Sequence, residues 1–165
     1  APVVEAAAEI DVQVVICGDG SCAPAIRSQM AGKPNVVLPG WVSAKQAEVL
    51  ARRSTLAIAP ITPHADFAMS VPNKFYDAMR KGLPMLTSLT GAAGELVESR
   101  GAGIVYGGPG GPSLRDVLEG LVQSPESLSQ MSRNALKAYS AEFNYQAVYG
   151  AIVAHLEALA TGSLR

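Results

Sequence analysis

Charge, cysteine and histidine are all scarce in this chain. Of its 165 residues 16% are charged, with 13 Lys and Arg against 14 Asp and Glu and a formal net charge of −1. No basic stripe interleaved with aromatics occurs, which argues against a nucleic-acid surface. Cys17 and Cys22 are the only cysteines. They read as reduced, unpaired thiols, the state expected in a cytosolic protein rather than in a disulfide scaffold. The histidines, His64 and His155, stand far apart and no acidic metal cluster is visible, so no metal and no cofactor are expected. No apolar run approaches the roughly 20 residues of a membrane span. The opening stretch, Ala1 to Ile10, lacks the basic start of a signal peptide and reads as helix.

Apolar residues, by contrast, make up 48% of the chain, which argues against disorder. The length suggests one domain over 1–165, able to bury roughly 70% of its unfolded surface without metal or disulfide support. A helical remnant over 3–9 precedes a β-branched run, Val12 to Cys17, fit for a buried strand. Gly18-Asp19-Gly20-Ser21 turns it into a helix from Ala23 to Met30. Asn35 to Leu38 is a short strand, and Ala44 to Arg52 a helix. Leu56 to Ala59, Met85 to Ser88 and Gly103 to Tyr106 are further strands, with a short helix at Glu95 to Ser99. After the Gly- and Pro-rich stretch 107–112, helices run from Ser113 to Val122, Pro125 to Tyr139 and Gln146 to Ala160. Ser124 stands where a cap for the second of these belongs, with Pro125 in its first turn.

Strands alternating with helices imply right-handed βαβ units, hence an α/β, Rossmann-like three-layer αβα fold with a parallel sheet. The ligand then lies at the C-terminal strand ends, on loops 18–21, 60–74 and 88–94. The chain begins inside a helix where such domains begin with a strand, so the first strand is expected to be missing.

Residues 60 to 88 are the most informative. An apolar strand enters a polar loop that ends in Ser70-Val71-Pro72-Asn73-Lys74 and opens a helix. First-turn amides have no intrahelical partner and suit an anion. Lys74 adds a positive charge, and Asp77 follows on the same helix face. Phosphate for the amides and Lys74, with ribose hydroxyls for Asp77, describes a sugar nucleotide. The plainer reading is an exposed i,i+3 pair, with Ser70 and Asn73 as helix caps. Gly18 and Gly20 read either as turn glycines or as a close approach to ligand. Trp41 either covers the core edge or lines a base pocket. Phe75 and Met79 read as core, and His64 as a solvated loop residue.

In order and spacing these pieces resemble the C-terminal, donor-binding domain of glycosyltransferase family 4. Val14 to Gly20 (VVICGDG) is similar to its strand and Gly-x-Gly turn, and Asn35 to Val42 (NVVLPGWV) to the strand and loop that line the nucleobase. Leu56 to Pro60 (LAIAP) and Lys74 to Leu86 (KFYDAMRKGLPML) resemble the strand before the donor loop and the acidic helix after it. Gly94-Glu95-Leu96-Val97 resembles the next helix start.

The resemblance implies one half of a GT-B enzyme, of which this chain is the donor half without its first strand and its N-terminal acceptor domain. The implied activity of the full-length protein is retaining transfer of a sugar, of hexosyltransferase type. The sugar passes from a nucleotide-diphosphate sugar to a glycan or lipid-linked acceptor in cell-surface polysaccharide synthesis. The implied substrate-binding residues are Gly18, Gly20, Trp41, Val42, Ser70, Val71, Pro72, Asn73, Lys74 and Asp77. No catalytic residue is assigned, and the isolated chain is expected to be inactive. The expected setting is cytoplasmic, with membrane contact only through the missing part, at the inner face.

The departures bear on activity. Of the pair of glutamates that the family often carries around the donor loop, Asp77 matches the second, while Met69 occupies the position of the first. Asp66 is a nearby carboxylate. The Met69 departure favours an alternative, a nucleotide-binding regulatory module without transferase activity. An NAD-dependent oxidoreductase fits poorly, because Gly18-Asp19-Gly20-Ser21-Cys22 lacks the third glycine of the dinucleotide fingerprint.

Overall fold

The computed structural model describes residues 2–62, 64 and 68–162. Its strands fall into two parallel sheets. β1 (Val14–Cys17) pairs with β2 (Val36–Gly40). β3 (Ala57–Ala59), β4 (Met85–Thr87) and β5 (Gly103–Val105) form the other sheet in that order. Among the described residues no backbone hydrogen bond joins β1 to β3. The helices are α1 (Pro2–Ala8), α2 (Ala23–Gln29), α3 (Ala44–Arg52), α4 (Asn73–Arg80), α5 (Ala92–Ser99), α6 (Leu114–Gln123), α7 (Pro125–Ala138) and α8 (Tyr145–Ala160). The α/β alternation with parallel strands and helical layers is the one expected from the sequence.

Side-chain alternation along the strands builds the layers. Ile58, Leu86 and Ile104 point to one face of the β3–β5 sheet, where Val3 and Ala6 of α1 and Leu114, Val117 and Leu121 of α6 cover them. Ala59 and Met85 point to the other face, under Phe75 and Ala78 of α4 and Ala93 and Val97 of α5. Phe75, Met79, Met85 and Leu86 are fully buried; each such side chain contributes about 1.5–3 kcal/mol. β5 starts on Gly103 for a steric reason, since a Cβ there would stand 2.0 Å from the Met85 carbonyl oxygen.

α1 serves both sheets. Its Val4 and Ala7 pack with Val14, Ile16 and Val36, together with Ile26 and Met30 of α2. The Asn35 amide donates to the carbonyls of Ala7, Ile10 and Val12, which pins the end of α1 to the start of β1. Arg115 of α6 reaches Glu9, just beyond α1, at 2.6 Å.

Four local expectations change. β1 is not buried on both faces: Val15 is 40% exposed and Cys17 lies at the surface, because among the described residues no helix covers that side. α5 starts at Ala92 rather than Glu95, since Gly91 turns the chain with φ 70°. Ser124 does precede α7, but its hydroxyl bonds that of Ser127 at 2.7 Å and caps no amide. The helix expected up to Tyr139 gives way after Ala138 to a π-helical turn, Tyr139–Phe143. Arg100 donates to both carboxylate oxygens of Glu142 there, at 2.9 and 2.7 Å. Full capping boxes occur elsewhere, Ser43 with Gln46 at α3 and Ser113 with Asp116 at α6. α8 has no buried residue, although Tyr145, Tyr149, Ile152, Val153, Leu156 and Leu159 are all large, apolar and exposed.

Candidate functional site

At the C-terminal edge of the β1–β2 sheet, the Gly18 amide donates to the Gly40 carbonyl at 2.8 Å. This stitches the Gly18–Gly20 turn to the loop carrying Trp41 and Val42. Gly18 has φ 133°, a conformation open to glycine. A Cβ on Gly18 or Gly20 would meet nothing within 4 Å, so the space around the turn is open. Trp41 is 77% exposed and covers no core edge, while Val42 is half-buried.

At the C-terminal edge of the other sheet, the loop after β3 is fastened at two points. Ser88 donates its hydroxyl to the Ile61 carbonyl at 2.7 Å. The Ala92 amide donates to the Ala68 carbonyl at 2.9 Å. Ala68 lies so close that a Cβ on Gly91 would stand 2.4 Å from its carbonyl oxygen. Thr87, a buried polar residue, donates to the Ala59 carbonyl and accepts from the Leu89 amide. Sequence reasoning placed Ser88 and Gly91 within the ligand-end loop 88–94 but gave neither of them, nor Thr87 at the end of β4, a role of its own; two hydroxyls and a glycine at the end of an apolar strand were the available signal. Tyr106 follows β5 with its ring in the core; burial pushes its phenol pKa up, and its buried hydroxyl finds no hydrogen-bond partner among the described residues. Asp66 lies outside the described residues.

The loop then delivers Val71 and Pro72 to α4. Pro72 is the N-cap, and among the described residues no side chain caps the helix. Ser70 and Asn73 therefore do not fill the capping role, and both are exposed. Lys74 is exposed in the first turn, and no acidic residue stands in that turn. A cation at a helix N-terminus opposes the helix dipole, at a cost of a few tenths to about 1 kcal/mol. An open helix end carrying an extra positive charge is a place for an anion.

Asp77 is exposed, and no ion pair joins it to Lys74 among the described residues. It lines a groove of about 380 Å³ with Tyr76, Arg80, Tyr139, Phe143 and Val148. A second cavity, of about 390 Å³, lies at the opposite ends of β3 and β4, between Arg52, Thr55, Lys81 and Ser129, and holds none of the expected site residues. The structure thus gathers Gly18, Gly20, Trp41 and Val42 at the end of one sheet and Ser70 to Asp77 at the end of the other. Among the described residues no hydrogen bond joins the two groups. Among the described residues no group of three or more His, Cys, Asp or Glu is placed to hold a metal, and no helix is long and apolar enough to cross a membrane.

The sequence model described as "Glycosyl transferases group 1" matches residues 1–123. This chain belongs to the group 1 glycosyltransferases. No curated protein matches it by sequence. Among solved structures, it is similar to WaaG, a glycosyltransferase involved in lipopolysaccharide biosynthesis. The TM-score is 0.72 at 17% identity, over 91% of this chain and 41% of that one. It is also similar to HepE from Anabaena in complex with UDP, with TM-score 0.77 at 18% identity, over 95% of this chain and 44% of that one. HepE in complex with UDP-glucose matches at TM-score 0.77 and 19% identity, with the same coverage. These likenesses establish a Rossmann-like half of the GT-B fold. The chain spans less than half the length of the solved chains it matches.

Proposed function

We propose that this chain is the donor-binding half of a retaining glycosyltransferase of hexosyl-transferring type. In that reading it moves a sugar from a nucleotide-diphosphate sugar to a glycan or lipid-linked acceptor in cell-surface polysaccharide synthesis. The observation that carries the reading is the open N-terminus of α4, uncapped and bearing an exposed Lys74. The diphosphate sits on the first-turn amides, among Ser70, Val71, Pro72 and Asn73, and on Lys74. These groups stabilise the leaving diphosphate as its charge develops, without a metal ion. Asp77 accepts from the ribose hydroxyls through charge-assisted bonds. Gly18 and Gly20 allow close approach, and Trp41 and Val42 line the base.

The UDP and UDP-glucose held by the similar HepE support this donor class. WaaG, involved in lipopolysaccharide biosynthesis, supports the setting. An N-terminal acceptor domain supplies the acceptor side. The exposed apolar residues of α8 support such a larger assembly, and the isolated chain does not turn over donor. The full-length protein works in the cytoplasm and meets the inner face of the membrane only through parts beyond this chain.

Amide NMR spectra of the chain with UDP, GDP, ADP or NAD test the reading. A nucleoside diphosphate is expected to shift Gly18, Gly20, Trp41 and residues 70–77, with or without chelator. Binding that requires magnesium, or shifts confined to other residues, overturns it.

A further inference from the structure

We propose that the cavity at the N-terminal ends of β3 and β4 binds a phosphate group. It lies at the opposite end of the sheet from the donor loops, and the inference stands apart from the donor chemistry.

Three helices meet around this space of about 390 Å³. The end of α3 brings Arg52 and, just beyond it, Thr55; the end of α4 brings Lys81; α7 brings Ser129 and Ser132. Gly82 turns the chain out of α4 with φ 68°, and a Cβ there would stand 3.2 Å from the Ser132 Oγ. That hydroxyl therefore lies directly against the turn. Leu83 and Leu128 add an apolar part to the lining.

The charge beside the cavity is unbalanced. Glu48 stands 3.4 Å from Arg52, 3.5 Å from Arg80 and 3.3 Å from Lys81. One carboxylate thus serves three cations. Glu126, next to Pro125 at the start of α7, makes no ion pair with them among the described residues. The Lys81 side chain is only 16% exposed, so its ammonium is largely withdrawn from water and gains from a second anionic partner. Helix C-termini favour cations, which accounts for charge at the ends of α3 and α4. It does not account for a cavity beside that charge, nor for its hydroxyls. Of the four hydroxyls in the lining, that of Ser54 donates to the Leu50 carbonyl at 2.8 Å. Those of Thr55, Ser129 and Ser132 have no hydrogen-bond partner among the described residues.

These donors decide the class of ligand. A guanidinium, an ammonium and three hydroxyls on three separate segments exceed what a planar, two-oxygen carboxylate accepts from so many directions. A tetrahedral phosphate presents oxygens to all of them and takes charge-assisted bonds from Arg52 and Lys81. Glu48 is then a competitor, holding the same cations when the ligand is absent.

That competition gives a test with two signs. Inorganic phosphate is titrated into wild type, Lys81→Met and Glu48→Gln at constant pH and ionic strength, and amide shifts are followed by NMR. Shifts are expected at Thr55, Lys81, Gly82, Ser129 and Ser132. Lys81→Met keeps the stem and loses the charge, and is expected to weaken binding by about tenfold or more. Arg52→Met makes the same test at an exposed position where the fold is not at stake. Glu48→Gln frees the cations and is expected to tighten binding by about threefold or more. A purely structural ion-pair cluster yields no such gain. Shifts that are absent or confined to residues 70–77 overturn the proposal. So do cation and Glu48 variants that fail to move affinity in opposite directions, and so does acetate binding as tightly as phosphate. Two further arms identify the source of the phosphate. Broadening of the same amides by phosphatidylcholine vesicles only when they contain phosphatidic acid assigns it to a lipid headgroup. Shifts with phenyl phosphate and no effect of either vesicle assign it to a free phosphomonoester.

Discussion

β4 and β1 are both short apolar strands, yet their surroundings differ. Met85, Leu86 and Thr87 of β4 are all buried, between β3 and β5 and between two helical layers. β1 has one strand partner and one covered face, and Val15 and Cys17 on its other face reach the surface. The difference lies in neighbours rather than in composition, since Val-Val-Ile-Cys is as apolar as Met-Leu-Thr. The same contrast holds for the loops at the strand ends. The loop after β3 is fastened by Ser88 and Ala92 and leaves no room for a Cβ at Gly91, whereas the Gly18–Gly20 turn, held through the Gly40 carbonyl, has open space at both glycines.

A matched pair of truncations puts the sharpest strain on this contrast. Leu86→Ala removes a fully buried side chain and is expected to cost about 2–5 kcal/mol of unfolding free energy. Val15→Ala is expected to cost less than about 1 kcal/mol, because its side chain keeps much of its water contact. Equal losses in denaturant titrations mean that the two sheets are equally enclosed.

The loops offer a second, smaller pair. At Gly91, with φ 70°, a Cβ collides with the Ala68 carbonyl, and Gly91→Ala is expected to lose about 1–3 kcal/mol. Gly20→Ala meets no neighbour and stays within about 0.5 kcal/mol of wild type. A harmless Gly91→Ala removes the fastening of the donor loop from the account.

The smallest effect is electrostatic. The Arg100 guanidinium holds the Glu142 carboxyl below its ordinary range. A depressed carboxyl pKa contributes stability above the unfolded carboxylate range, and that contribution is lost as pH falls through the folded value. Glu142→Gln is therefore expected to lower thermal stability slightly at neutral pH, with the gap to wild type closing below about pH 4. A gap that persists in acid assigns the loss to packing of the π-helical turn.

Much of the fold was legible in sequence because it is local. Apolar runs and Gly-Pro punctuation mark each strand, and α3 runs from Ala44 to Arg52 as its periodicity predicts. Phe75 and Met79, spaced for one helix face, are indeed core. The exposed Trp41 decides against the core-edge alternative. The division into two sheets was not legible, because a strand's own residues do not state which edge finds a partner. The surface position of Cys17 was not legible either, because it depends on which face of β1 the helices cover. The Ser43–Gln46 cap is present in sequence as a Ser-x-x-Gln spacing, whereas the close approach at Gly91 depends on a loop whose path no local pattern encodes. For the site, the helix start and Lys74 were readable, and the absence of any side-chain cap was not.

The central claim is that the open start of α4 carries a diphosphate. Its most direct test is the affinity of the chain for UDP, measured by calorimetry, in wild type and Lys74→Met. The substitution keeps the stem and removes the charge from an exposed position, so the fold is expected to survive, as circular dichroism checks. Losing a charged hydrogen-bond partner costs on the order of 1.5–3 kcal/mol, so affinity is expected to fall by roughly ten- to a hundredfold. UDP binding that is equally tight in the folded variant contradicts the account and leaves Lys74 as a surface charge.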